Sequence, residues 1–258
     1  MCRRQTCFAR RDDVTQMEIF LEHYFDLDVM REHFDKVLQG FWITVQLSLI
    51  AGVLSMTWGL VLALCRTTRS RLLLPLRPLT IAYIDVFRGI PLLLVVLLIS
   101  GSLPFIDALP DWIRAPHLLG QPDIYWFGVA ALTITYGAYL AEVYRAGLEA
   151  VPAGQMEAAR SLGMSHPRAL WHVVLPQAVR TVVPPLLNDF IALMKDTSLV
   201  QVIGVVEVVR AGREVQGETF NSSALTLGAV MFLLVTLPLA RIVDRSLNGR
   251  QQLSKGLA

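Results

Sequence analysis

Long charge-free stretches alternate with short charged links along this chain, and that pattern sets the solvent in which it folds. Residues 40–65, 89–106, 124–141 and 221–240 contain no Asp, Glu, Lys or Arg. Each is close to or above the ~20 residues that a helix needs to cross a hydrocarbon core. A fifth stretch, 173–194, is apolar except for Arg180 and Asp189 and carries Pro176, Pro184 and Pro185. It reads as a kinked helix that faces protein rather than lipid. A soluble core would interrupt these runs with a polar residue every third or fourth position, and they are not so interrupted. The pattern therefore predicts an all-α, polytopic membrane protein of about five transmembrane helices. Within the first run, Ser48, Gly52, Ser55 and Gly59 fall at i, i+4, i+7 and i+11. That spacing places four small residues on one stripe, where another helix backbone can approach closely.

Composition agrees: 54% of the 258 residues are hydrophobic and 17% are charged. The net charge of +2 is too small to suggest a nucleic-acid partner, so the distribution of charge carries more information. Arg66, Arg69, Arg71 and Arg77 crowd the link after the first run, and Arg241, Arg245, Arg250 and Lys255 follow the last. The positive-inside tendency makes both clusters cytoplasmic. Five spans then place the N-terminus outside, the acidic loop of Asp107, Asp111 and Asp123 outside, segment 142–172 inside and the C-terminus inside. The expected division is an N-terminal tail (1–36), a transmembrane domain (37–248) containing the cytoplasmic loop 142–172, and a short tail (249–258).

The tail is the discordant part, because Arg3, Arg4, Arg10 and Arg11 would have to cross the membrane. They lie far enough from the first span to count weakly. No apolar stretch of signal-peptide type follows them, and Met17 is an alternative start. Beyond it, Phe20, Leu21, Tyr24, Phe25 and Val29 have roughly helical spacing. That segment reads either as a helix along the outer interface or as an ordinary surface tail.

Cofactor chemistry finds little support. Cys2, Cys7 and Cys65 are scattered, and the five histidines (His23, His33, His117, His166 and His172) show no ligand spacing with thiols or carboxylates. The sequence has no phosphate loop, nucleophile elbow or dinucleotide fingerprint. The expectation is that this chain itself binds no metal or cofactor.

The link 142–172 is more specific. Glu157-Ala158-Ala159-Arg160-Ser161-Leu162-Gly163 reads as a short helix closed by a glycine free to turn left-handed. Ser165 is placed to cap a second helix, with Pro167 in its first turn. The result is a cytoplasmic helix-turn-helix knuckle whose small alanines let a partner come close. From the residues alone, a docking role and an ordinary loop are equally open.

Glu157-Ala158-Ala159, then Gly163, then Val173-Val174-Leu175-Pro176 resembles the EAA loop of permease subunits in binding-protein-dependent ABC importers. Valine at Val173 stands where isoleucine is usual. The resemblance implies the MetI-like fold of type I importers, with Glu157, Ala158, Ala159 and Gly163 docking in a cleft of the ATPase and Leu175-Pro176 acting as the hinge into the next span. It also implies two ATPase subunits that hold the ATP and Mg, a second permease as homodimer or heterodimer partner, an extracytoplasmic solute-binding protein, and a bacterial inner-membrane location. Three further motifs are similar to the polar amino-acid group (histidine, glutamine, glutamate and arginine permeases): Phe87 to Leu92, Ala138 to Gly147, and Lys195 to Leu199. Asn188-Asp189 stands where that group has asparagine followed by glutamate. The likeness runs from about Phe34 to Arg245. A permease for methionine, an osmolyte or a phosphonate is the nearest alternative.

Charged and polar residues in or beside the spans, with one proline, mark a candidate substrate pathway: Arg88, Pro91, Asn188, Asp189, Lys195, Asp196, Thr197 and Ser198. Asp85 and Arg88, three apart, share a helix face and read either as a neutralising pair or as a pathway group. Asp189 in an apolar segment implies a polar cavity or a partner such as Arg180 or Lys195. The same intramembrane charges would also serve an ion-gradient transporter, and a non-transporting scaffold would use the knuckle alone.

Overall fold

A computed structural model describes residues 16–67, 76–114, 116 and 120–255, and all regular structure among them is helical. The expectations placed on Arg3, Arg4, Arg10, Arg11, Cys2, Cys7, Arg69, Arg71 and His117 lie outside the described residues. The segment expected to be a tail is helical: α1 covers residues 16–25 and α2 Leu27–Glu32. Asp26 separates the two. Its carboxylate accepts from the backbone N–H groups of Asp28 and Val29 at 2.9 and 3.3 Å, capping α2.

α3, Phe34–Thr67, has 34 residues. At about 1.5 Å per residue it is longer than a hydrocarbon core of roughly 30 Å, so its ends project beyond it. Its small-residue stripe is wholly inward: Ser48, Gly52, Ser55 and Gly59 are all buried. A Cβ on Gly52 would meet the Phe190 ring at 2.8 Å, and one on Gly59 would meet Leu140 at 2.8 Å. The stripe thus admits two different helices to the same face.

The second expected span, 89–106, is corrected by the structure. α4 runs Leu76–Gly89 and α5 Leu92–Ser102, and the pair is bent by 109° at the break. Pro91 cannot donate a backbone hydrogen bond and pushes the residue before it out of the helical region, so the chain turns where Gly89-Ile90-Pro91 stands. Together the bent pair forms one broken span or a re-entrant loop. A 3-10 turn (Leu103–Phe105) and the short α6 (Asp111–Arg114) lead to α7, Asp123–Glu149, the helix most enclosed by the others.

The knuckle follows as α8 (Ala153–Ser161) and α9 (His166–Ala169), then a π-helical turn at Leu170–Val174 and α10, Leu175–Asp196. A 3-10 segment (Thr197–Ile203) leads to α11, Val208–Thr219, and to α12, Ser223–Lys255. Among the described residues three helices are long and apolar enough to cross a membrane: α3, α7 and α12 over residues 223–245. Counted as one broken span, the bent pair makes a fourth. The fifth expected span, α10, does not qualify on those grounds because Arg180, Asp189, Lys195 and Asp196 interrupt it. It packs against α7, α12 and α3, so it needs less lipid-compatible surface. Pro184 and Pro185 lie inside it, and the helix continues through both.

The main core joins α3, α5, α7 and α10 through Leu47, Val96, Leu132, Tyr136 and Leu193. A second cluster, Val37, Val208, Val215, Ala224 and Met231, joins α3, α11 and α12, with Val29 of α2 against it.

Candidate functional site

Two assemblies carry the residues that the sequence singled out. The first is the knuckle. Gly163 has φ +82°, and the N–H of Gly163 donates to the Arg160 carbonyl at 3.0 Å while that of Met164 donates to Ala159 at 3.2 Å. These paired bonds form a Schellman closure of α8, for which a glycine in the left-handed region is the natural residue. Ser165 takes the N-cap position of α9 with an extended backbone, and Pro167 lies in the first turn. The expected side-chain cap is not made, because the Ser165 hydroxyl forms no such bond. Glu157, Ala158 and Gly163 face outward. Ala159 is only 4% exposed, which corrects its expected place on an outer docking face: it packs inside the knuckle.

Leu162, 84% exposed, and Trp171, 66% exposed, stand out beside these residues. Sequence reasoning passed over both, although an apolar residue directly before a helix-ending glycine was a usable signal. The expected hinge at Leu175-Pro176 coincides with the end of the π turn. Gln177 of α10 donates to Gln155 of α8 at 3.3 Å, so the knuckle is tied to α10 across this joint as well as through the chain.

The second assembly is a string of polar groups between α4, α7 and α10. Arg88 lies 5.9 Å from the centroid of the Tyr139 ring, within cation–π range. The Tyr139 and Tyr136 rings are 5.9 Å apart. The Tyr136 hydroxyl donates to Asp196 at 2.8 Å. Asp189 is half-buried two turns before Asp196 on the same side of α10 and within electrostatic reach of Tyr136.

Both paired readings of the charged residues are thereby corrected. Arg88 makes no ion pair with Asp85 among the described residues: both are exposed, and Arg88 sits over Tyr139 instead. Asp189 likewise forms no ion pair with Arg180 or Lys195 among the described residues. Asn188 and Lys195 are exposed. Thr197 is fully buried and its hydroxyl donates to the Met194 carbonyl at 2.7 Å, closing the end of α10. Ser198 is half-buried in the 3-10 segment, and Pro91 forms the bend just beyond Arg88. The tyrosines were not singled out from sequence. Two hydroxyl-bearing rings three apart inside a charge-free span are a legible sign, because a buried tyrosine hydroxyl requires a partner.

Apart from Tyr139, the remaining motif, Ala138 to Gly147, is structural. Glu142 and Arg145 join Arg66 of α3 in an ion network, with Arg145 reaching Glu142 at 2.7 Å and Glu149 at 2.6 Å. Gly147 lets α10 cross closely, since a Cβ there would lie 1.9 Å from the Val182 side chain.

With this geometry in place, comparison with known proteins is decisive. The model of the binding-protein-dependent transport system inner membrane component matches residues 55–249. This chain belongs to that family. It is the permease component of an ABC import system and an inner-membrane protein with several spans, which excludes the gradient-driven and scaffold alternatives. The probable glutamine ABC transporter permease GlnM of Bacillus subtilis is 33% identical over 83% of this chain and 93% of its own length. A solved amino acid ABC transporter with histidines is 32% identical, covers 85% of this chain and 96% of its own, and superposes with a TM-score of 0.73. The MetNI methionine transporter, at 17% identity, covers 83% of this chain and 95% of its own with a TM-score of 0.62, and shows that the permease has the MetI-like fold.

Proposed function

We propose that this permease moves a polar amino acid, handed over by an extracytoplasmic binding protein, through a path beside Arg88, Tyr139, Tyr136, Asp189 and Asp196, driven by ATPase closure at the knuckle. One observation carries the reading: α10 is a single lever. Its 22 residues extend about 33 Å, with the Schellman knuckle at one end and the Asp196–Tyr136 contact at the other. A displacement of α8 passes to α10 through the Leu175-Pro176 joint and the Gln177–Gln155 hydrogen bond, and along α10 to the polar string. A zwitterionic substrate suits the string, which presents a guanidinium at one end and carboxylates at the other. The relatives named above, a probable glutamine permease and an amino acid transporter solved with histidines, support the amino-acid class.

In this reading ATP and Mg sit on two partner ATPases and this chain binds no cofactor. A second permease completes the pathway. The N-terminus is outside and the C-terminus cytoplasmic. Glu157, Ala158 and Gly163 meet the ATPase together with Leu162, and Leu175-Pro176 forms the joint.

The test is uptake in proteoliposomes holding the permease, its ATPase and its binding protein. ATP-dependent accumulation of a polar amino acid, abolished by omitting the binding protein, is the expected result. Accumulation driven by an ion gradient without ATP would overturn it. Reporter fusions check the orientation: a cytoplasm-active reporter after Arg71 or Gln251 should be on, and one near Leu109 off.

A further inference from the structure

α1 contributes no residue to the knuckle or the polar string, yet it is held in place by a dedicated set of contacts. The turn between α11 and α12 grips its C-terminal end. Ser222 N–H donates to the His23 carbonyl at 2.8 Å, and Asn221 Nδ2 donates to the Glu22 carbonyl at 3.0 Å. Ser222 Oγ lies 3.1 Å from His23 Nε2 and accepts from Gln216 Nε2 at 2.8 Å. Asp26 N–H donates to Ser223 Oγ at 2.8 Å. The last carbonyls of a helix have no partner within it, and here residues some two hundred positions away supply them. α1 is thus fixed in orientation at the end of α12.

The face turned away from this grip is apolar. Met17, Phe20, Leu21, Tyr24 and Phe25 follow i, i+3, i+4, i+7 and i+8, one continuous stripe, and are 59, 50, 49, 40 and 51% exposed. Phe20 stacks with Tyr24 at 4.9 Å and lies 6.4 Å from Phe25, so the rings form one patch. Glu18, Glu22 and His23 lie off the stripe. At the same turn Phe220 adopts φ +54° and is 83% exposed.

The stripe continues an apolar surface whose solvent is already known. α1 leads through α2 into the start of α3, whose outward Leu38, Trp42 and Leu49 are 43, 59 and 54% exposed, and it is fastened to the start of α12, whose Leu233 and Leu234 are 52 and 69% exposed. Both are membrane spans, and at their shared end aromatic side chains belong at the headgroup level.

We propose that α1 is an interfacial anchor, lying in the plane of the outer leaflet with Phe20, Leu21, Tyr24 and Phe25 in the acyl boundary and its polar face latched to the α11–α12 turn. Its ligand is the lipid surface. Among residues 16–25 there are two glutamates and no lysine or arginine, so binding rests on apolar area rather than on anionic headgroups. The latch gives the anchor a consequence: it holds the turn beside α11, and so the extracytoplasmic end of the bundle, at a fixed depth while α10 moves.

Spin labels at Phe20→Cys, Tyr24→Cys, Glu18→Cys and Glu22→Cys test this, one at a time, with Cys2, Cys7 and Cys65 changed to serine and the assembled transporter in phosphatidylcholine nanodiscs. Labels at 20 and 24 should be several-fold more accessible to oxygen than to an aqueous nickel reagent, those at 18 and 22 the reverse, and added phosphatidylglycerol should not strengthen the contrast. Equal nickel access at all four sites would mean a water-facing tail and overturn the proposal. Exclusion of both reagents at 20 and 24 would also overturn it, because a protein partner would then cover the stripe. In an Asn221→Ala, Ser222→Ala, Ser223→Ala background, which deletes the side-chain partners of Glu22, His23 and Asp26, the contrast between the two faces should fall by at least half, and an unchanged contrast would remove the latch from the account.

Discussion

The knuckle and the polar string lie at opposite ends of α10 and are built by opposite means. Every contact that shapes the knuckle's turn lies within a few residues: the two bonds closing α8 join positions three and five apart. The string joins Arg88, Tyr136, Tyr139 and Asp196 from three helices, with Tyr136 and Asp196 sixty positions apart. The first is a product of turn chemistry and the second of packing. It follows that the knuckle should fail abruptly when its one special backbone conformation is denied, whereas the string should degrade by degrees as members are removed.

The largest effect is expected at Gly163. Valine in the left-handed region costs about 1–2 kcal/mol or more, and the Schellman bonds must open or strain to accept it. The Gly163→Val permease should insert and assemble, yet ATPase stimulation by loaded binding protein should fall by at least tenfold. Stimulation at the wild-type level would break the comparison. Ala158 and Ala159 sharpen it. Leucine at exposed Ala158 should weaken ATPase attachment with little change in the permease's own stability, whereas leucine at buried Ala159 should destabilise the knuckle by about 1–3 kcal/mol through overpacking. Thermal melts of the isolated permease and of the complex distinguish the two.

How much was legible follows the same division. Gly163, Pro167 and the position of Ser165 were read correctly because turn and cap preferences are properties of a few adjacent residues. The small stripe on α3 was legible because it rests on spacing alone, whereas the unbroken apolar run 89–106 hid the bend at Gly89-Ile90-Pro91. Which neighbours the stripe would meet was not legible, since Phe190 and Leu140 approach it from different helices. Burial at Ala159 was hidden because the side of a nine-residue helix that turns inward depends on what packs below it. The Asp85–Arg88 pairing failed because i, i+3 spacing permits an ion pair without requiring one, and Tyr139 offers Arg88 an alternative. The protein-facing helix expected over 173–194 was legible because Arg180, Asp189 and three prolines mark a segment poorly suited to lipid, and α10 packs against α7, α12 and α3.

A smaller loss is expected at Asp189. In hydrocarbon a carboxylate costs about 2.5–3.5 kcal/mol on insertion scales, and no ion pair among the described residues offsets that here. Asp189→Asn should therefore leave the assembled complex intact, reduce uptake per complex several-fold or alter which amino acid is carried, and leave the binding protein's affinity unchanged. Unaltered transport and selectivity would remove Asp189 from the pathway. Tyr136→Phe deletes the donor to Asp196 at a cost of about 1–3 kcal/mol where the carboxylate stays buried. Because Asp196 is only half-buried, so that water can take the place of the lost donor, uptake should fall roughly tenfold or less. A Tyr136→Phe loss as complete as that of Gly163→Val would show that the string, like the knuckle, fails abruptly.

The smallest effect lies at a third kind of site, where local capping and long-range packing meet. Glu207 is fully buried at the N-terminus of α11, its carboxylate accepting from the backbone N–H of Arg210 at 2.8 Å and of Val209 at 3.0 Å. Next to it Thr44 of α3 accepts from Val208 N–H at 3.3 Å, and Gly40 leaves room for Ala211. Burial pushes the Glu207 carboxyl up from 4.5 to about 7, and the two N–H donors keep the rise from being larger. A carboxyl whose folded value lies above its unfolded value contributes stability that is complete below pH 4.5 and is lost as pH rises through about 7. The melting temperature of the purified permease should thus decline across that window. Glu207→Gln keeps a capping oxygen but cannot ionise, so it should flatten the decline and gain on the wild type at pH 8 relative to pH 5. A wild-type-to-variant difference that stays constant from pH 5 to 8 would show that ionisation of Glu207 does not govern the α3–α11 junction, and would leave it a cap of purely local character, like the turn at Gly163.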